Sequence, residues 1–232
     1  MQTLLIATRN AHKVGEIRAI LTDRFRFLTL NDVPDAPEVV EDAGTFAGNA
    51  TKKSVALAEF VSGSPLAGHA FILADDSGLE VDALDGAPGV HSARFAALDS
   101  GQSGNSSTAE NNAKLLRLLK EVPLEKRTAR FRCALALTPV PAHGDESASP
   151  VCYADEAEIQ TELFEGVCEG HLGFSPRGER GFGYDPLFIP AGYDATFGEL
   201  GDEVKNQLSH RAKALAKLEL RLRSGNAGRH GT

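Results

Sequence analysis

The sequence is short of cysteine, of long apolar runs and of positive charge, and each shortage removes a class of protein. Its 232 residues include three cysteines, Cys133, Cys152 and Cys168. An odd number without C-x-x-C spacing disfavours both a disulfide framework and a zinc site, and fits small apolar residues in a reducing cytosol. No stretch approaches the ~20 consecutive apolar residues that a membrane-spanning helix needs, and Met1 begins no basic leader. A cytoplasmic protein with no membrane partner is expected. The formal charge of −8 argues against a nucleic-acid partner, because that binding is driven by many lysine and arginine contacts to phosphates. A polyanionic substrate would need a local basic pocket. Neither an internal repeat nor a Walker glycine pattern is visible.

What the chain does have is hydrophobic content of 42%, enough to bury one large domain or two closely joined lobes. The apolar run at residues 3–7 gives way to Thr8, Arg9 and Asn10, after which Val14, Ile17 and Leu21 recur at helical spacing. This reads as strand, loop, helix. Thr45 can cap a second helix carrying Phe46, Ala50, Leu57 and Val61, and a buried strand from Phe71 to Ala74 runs into two aspartates. Ser107 and Glu110 have capping-box spacing before the leucines at 115, 116, 118 and 119. Phe131, Cys133, Leu135 and Leu137 alternate as on a half-buried strand, with residues 151–164 as its expected antiparallel partner. Leu208, Ala212, Leu215, Leu218 and Leu222 mark a final helix. One domain over residues 1–223 is expected, with 224–232 a frayed tail. Strands alternating with helices, plus one hairpin, predict an α/β fold with a mixed twisted sheet and flanking helices.

Four segments carry candidate chemistry. Thr8–Lys13 lies where a strand feeds a helix N-terminus, which favours an anion, although the segment alone is equally an ordinary capped helix. Asp75, Asp76 and Ser77 follow the buried strand; alternation sends the two carboxylates to opposite sides, so one can hold structure while the other meets a metal. Turn chemistry is the plainer alternative. Phe182–Asp185 set aromatic rings beside a carboxylate, either to stack and hydrogen-bond a base or to close a packed turn. In Lys205–Arg211, Lys205, Ser209 and His210 cannot all face one way on a regular helix. A helix starting near Asn206 or Gln207 would leave Lys205 in the loop before it.

In their order along the chain, ADDSGLEVDAL with GAPGVHSARFA, GFGYDPLFIP and KNQLSHRAKAL resemble the inosine triphosphate pyrophosphatase family over about Leu4 to Leu218. The resemblance implies two lobes around a central nucleotide-binding cleft, a homodimer, and Mg²⁺-dependent hydrolysis of ITP, dITP or XTP to the monophosphate and pyrophosphate. It implies that Thr8, Arg9, Asn10, Ala11, His12 and Lys13 cradle the triphosphate. Asp76 matches the catalytic carboxylate and metal ligand, with Ser77 beside it, and Glu41 the second metal ligand, Asp42 being the alternative. Phe182, Gly183, Tyr184 and Asp185 match the base-binding segment, and Lys205, His210 and Arg211 further nucleotide contacts. Asp75 is the reserve base. Two departures stand out: Arg9 replaces a frequent glycine, and Ala11-His12 precedes Lys13 where glycine is common.

Overall fold

The computed structural model describes residues 2–101, 104–141 and 161–227. Its strands are β1 (Gln2–Ile6), β2 (Phe25–Thr29), β3 (Ala70–Val81), β4 (Thr128–Pro139), β5 (Glu162–Leu172) and β6 (Phe188–Pro190). They form one sheet in the order β2-β1-β3-β4-β5-β6. β1 pairs in parallel with both β2 and β3, whereas β5 and β6 are antiparallel. The α/β fold with a mixed sheet is therefore present. The helices are α1 (Ala11–Leu21), α2 (Phe46–Val61), the single turn α3 (Ala97–Ser100), α4 (Thr108–Leu118), α5 (Phe197–Leu208) and α6 (His210–Ala227).

The chain divides into two compact units, Met1–Asp76 with Ala134–Glu165 and Ala214–Thr232, and Ser77–Cys133 with Gly166–Lys213. In the first unit Leu4, Leu5 and Ile6 of β1 are buried, as are Ile72 and Leu73 of β3. Such unbroken apolar runs suit a strand flanked by parallel neighbours and covered on both faces. In the second unit, Leu79, Val81, Leu115, Phe131, Leu187, Phe188 and Phe197 belong to one hydrophobic cluster. Phe188 packs 4.7 Å from Phe131 and 5.4 Å from Phe197, centroid to centroid.

Several expected boundaries move. β3 does not stop at its aspartates but continues through both to Val81, because lysine and asparagine side chains satisfy the carboxylates within the fold. β2 was not foreseen. The strand next to β4 is Glu162–Leu172; most of the expected 151–164 segment, including Cys152, lies outside the described residues. The final helix begins at His210 and runs to Ala227, entering the segment expected to be a tail, of which residues 228–232 lie outside the description.

Candidate active site

In the first unit the site begins where β1 ends. Ala7 donates its N–H to Leu73 O at 2.9 Å, which ties the loop to β3. Asn10 then caps α1, its side-chain oxygen accepting from the backbone of His12 at 3.0 Å and Lys13 at 3.3 Å. Asparagine suits this position because its short amide reaches helix-start N–H groups that have no other partner. Thr8 Oγ1 accepts from Asn10 N at 3.2 Å. Arg9, Ala11 and His12 are exposed around this helix start, so the arginine that departs from the family pattern faces solvent instead of crowding the loop.

Alternation along β3 separates the two carboxylates as expected. Asp75 is buried and ion-paired to Lys13 of α1 at 2.5 Å. Asp76, only 6% exposed, is addressed by α2: Asn49 Nδ2 donates to its Oδ2 at 3.0 Å, and Lys53 Nζ lies 3.5 Å from its Oδ1. Lys53 also donates to Asp75 O at 2.9 Å and sits 3.2 Å from Glu41 Oε1. Burial pushes the Asp76 carboxyl above its ordinary value, against the opposing charges of Lys53 and Lys13 and the hydrogen bond from Asn49. An elevation of this kind brings a carboxylate closer to the range suited to proton transfer.

Two carboxylates, Glu41 and Asp76, thus converge on one cation, the Lys53 ammonium. Asp42 points elsewhere: it is exposed and pairs with Lys52. The pairing favours Glu41 over Asp42 as the companion of Asp76. Among the described residues no group of three or more His, Cys, Asp or Glu forms a metal cage. Two all-oxygen donors match the way Mg²⁺ is held, by one or two carboxylates together with substrate phosphates and water. Asn49 and Lys53 were missed in the sequence. Their signal is a polar pair four residues apart interrupting the apolar stripe of α2, which places both beside Phe46, Ala50 and Leu57.

In the second unit the GFGYDP segment closes on itself. Asp185 Oδ2 accepts from Phe182 N at 2.7 Å and from Lys205 Nζ at 2.6 Å. The Lys205 ammonium also lies over the Phe182 ring, 4.4 Å from its centroid. Gly181 has φ of +78° and no room for a side chain, since a Cβ would fall 2.2 Å from Asp185 Oδ2. Phe182 remains partly exposed, as a stacking ring must. Tyr184 does not. Its ring is buried in the hydrophobic cluster and its hydroxyl donates to Ser92 O at 2.9 Å, with burial pushing the phenol pKa up. Its side chain therefore anchors the segment and presents no exposed face to a base.

Lys205 also departs from expectation, standing in the last turn of α5 instead of in a loop. Ser209 is extended and ends that helix, and its hydroxyl accepts from Ala212 N at 3.2 Å at the start of α6. Serine prefers a helix N-cap to a helix interior, so the break falls there. It turns His210 and Arg211 to new directions. His210 stacks on Phe131, 4.8 Å between centroids with planes 15° apart. Arg211, buried, donates from Nη2 to Ser77 Oγ at 2.8 Å.

The sequence matches the Ham1 family over residues 4–220. A dITP/XTP pyrophosphatase of Geobacillus kaustophilus is 44% identical over 220 residues, covering 94% of this chain and 93% of its own. That of Geobacter sulfurreducens is 47% identical over 220 residues, covering 94% and 96%. Among solved structures, a HAM1 protein from Coxiella burnetii superposes with a TM-score of 0.76 at 32% identity, covering 97% of this chain and all of the other. A nucleoside-triphosphatase / dITP/XTP pyrophosphatase from Mycobacterium abscessus gives 0.65 at 35% identity over 94% of this chain and 98% of the other. With coverage this complete at both ends of the comparison, the chain belongs to the Ham1 family.

Proposed function

We propose that the protein hydrolyses ITP, dITP and XTP to the nucleoside monophosphate and pyrophosphate, in keeping with its relatives, which are dITP/XTP pyrophosphatases. The observation that carries the chemistry is Asp76: a carboxylate held in the fold by Asn49 and Lys53, with its proton affinity raised by burial.

The residues take the following roles. Asp76 and Glu41 would hold Mg²⁺, which when bound would neutralise phosphate charge and make phosphorus more electrophilic. Lys53 keeps the two carboxylates oriented. Lys13 and the N-terminus of α1 supply positive potential to the departing pyrophosphate. Asp76 orients water toward the α-phosphorus and accepts its proton as the bond from that phosphorus to the bridging oxygen breaks; solvent then receives the proton. In the second unit Phe182 offers the stacking ring, and Asp185 with Lys205 holds it in place. Arg211 has only hydrogen-bond donors, so it suits the 6-oxo acceptor of hypoxanthine and xanthine and mismatches the 6-amino donor of adenine.

A cytoplasmic homodimer completes this reading. Buried Cys133 and Cys168, neither of them in a disulfide, suit a reducing compartment, the −8 charge disfavours nucleic acid as a partner, and the family resemblance supports the dimer. No helix among the described residues is long and apolar enough to cross a membrane.

Product analysis tests the reading. Purified protein with Mg²⁺ should convert ITP to IMP and pyrophosphate much faster than it acts on ATP. IDP with orthophosphate as first products would refute attack at the α-phosphorus, and equal rates on ATP would refute the base preference.

A further inference from the structure

Asn112, on the second turn of α4, has no part in the proposed reaction, yet it touches the segment proposed to bind the base. It is 6% exposed, and its Nδ2 donates to Gly183 O at 3.1 Å. Only the nitrogen can face a carbonyl, so the amide's orientation is fixed by that contact. Among the described residues no protein donor meets its Oδ1, which is fully withdrawn from solvent.

Neighbouring carbonyls of the segment are held locally. Phe182 O accepts from Asp185 N at 3.3 Å, and Tyr184 O accepts from Leu187 N at 2.9 Å and Phe188 N at 3.1 Å. Gly183 O instead takes a side chain that is 71 residues away in sequence. Gly183 itself adopts φ of +62°, and a Cβ there would meet nothing within 4 Å, so no side chain of its own holds its peptide plane. Asn112 holds the carbonyl end of that plane, whose other end carries the Tyr184 N–H.

The helix bearing Asn112 is itself rigidly placed. A capping box of Ser107 and Glu110 starts it, Asn111 accepts from Ala96 N at 2.8 Å and donates to Ala93 O at 3.2 Å, and Lys114 donates to Phe95 O at 2.7 Å. Asn111 uses both ends of its amide, but Asn112 uses one and buries the other. Burying an unmatched amide oxygen opposes folding, and a leucine of nearly the same shape would avoid it. The residue is a poor choice for stability and a good one for holding a flexible glycine peptide.

We propose that Asn112 is a positioning residue for nucleobase binding, fixing the Gly183–Tyr184 peptide so that the Phe182 ring is presented to a purine. The inference rests on the proposed function for its substrate but not for its structural half. Asn112→Leu removes the donor, and Asn112→Asp sets an acceptor against the Gly183 carbonyl.

The test combines amide hydrogen exchange with ITP kinetics. In Asn112→Leu, the peptide covering residues 181–187 should exchange faster while the melting temperature stays level or rises. KM for ITP should rise roughly three- to ten-fold, the scale of one neutral hydrogen bond, with kcat changed less than KM, and Asn112→Asp should raise KM further. Unchanged exchange, a loss confined to kcat, or a Leu variant that unfolds would each overturn the proposal, the last by making Asn112 a stability residue. If the parent fails to turn over ITP, the functional reading falls, and the exchange result alone then decides whether Asn112 fixes the segment.

Discussion

Lys205 Nζ donates to Asp185 Oδ2 at 2.6 Å, with their side chains 3% and 2% exposed. Removing one member of such a pair leaves the other charge buried and uncompensated. Lys205→Met should therefore lower unfolding free energy by about 3–5 kcal/mol, the cost of breaking a buried pair. The double variant Lys205→Met with Asp185→Asn should recover part of that loss, because the amide is neutral and still offers an oxygen to Phe182 N. Urea denaturation of the parent, the single and the double variants measures both differences; a double variant less stable than Lys205→Met alone would contradict the account.

Asp76→Asn should reduce ITP turnover by roughly 10²-fold or more, the scale of lost general-base catalysis. It should also stabilise the fold at neutral pH. The folded-state pKa of Asp76 lies above the ordinary aspartate value of 3.8, so the folded protein binds this proton more tightly than the unfolded chain. Stability from this group is full below the unfolded pKa and is lost as pH rises through the folded one. The gain in melting temperature from asparagine should thus be present at pH 7 to 8 and shrink toward pH 4. A gain independent of pH would point to packing instead.

Lys53→Met should shift the pH dependence of catalysis. Lys53 is the largest influence holding the Asp76 pKa down against burial. Without its charge, Asp76 keeps its proton to higher pH, and the acid limb of kcat/KM should move upward. A profile that falls in amplitude without moving would separate Lys53 from the ionisation of Asp76.

Arg211→Ala should lower kcat/KM for ITP by an amount equivalent to roughly 1–3 kcal/mol and affect ATP much less, shrinking the discrimination ratio. Equal losses on both substrates would make Arg211 a phosphate or sugar contact. Ser77→Ala removes an acceptor that meets Arg211 Nη2, so it should reproduce the same selectivity change in weaker form.

The local half of the fold was legible in the sequence. Short-range rules placed the caps at Thr45 and at Ser107 with Glu110, both present in the structure. The period-two apolar pattern around Phe131 found β4, and alternation separated Asp75 from Asp76. Polar groups inside the core were harder to read. The aspartates resembled a strand end because buried carboxylates are costly, and only the approach of Lys13, Asn49 and Lys53 lets β3 run through them.

By itself, then, the sequence determined which residue types stand at each local turn, cap and apolar stripe, since those depend on neighbours within a few positions. Tertiary structure decided which charges meet. Glu41 meets Lys53 while Asp42 meets Lys52, and the Tyr184 side chain is buried in the core with its hydroxyl bonded to Ser92. Asn112 was joined to Gly183 across 71 positions. These pairings link distant segments, and only the free energy of burying them together, not any local spacing, chooses among the partners each could have had.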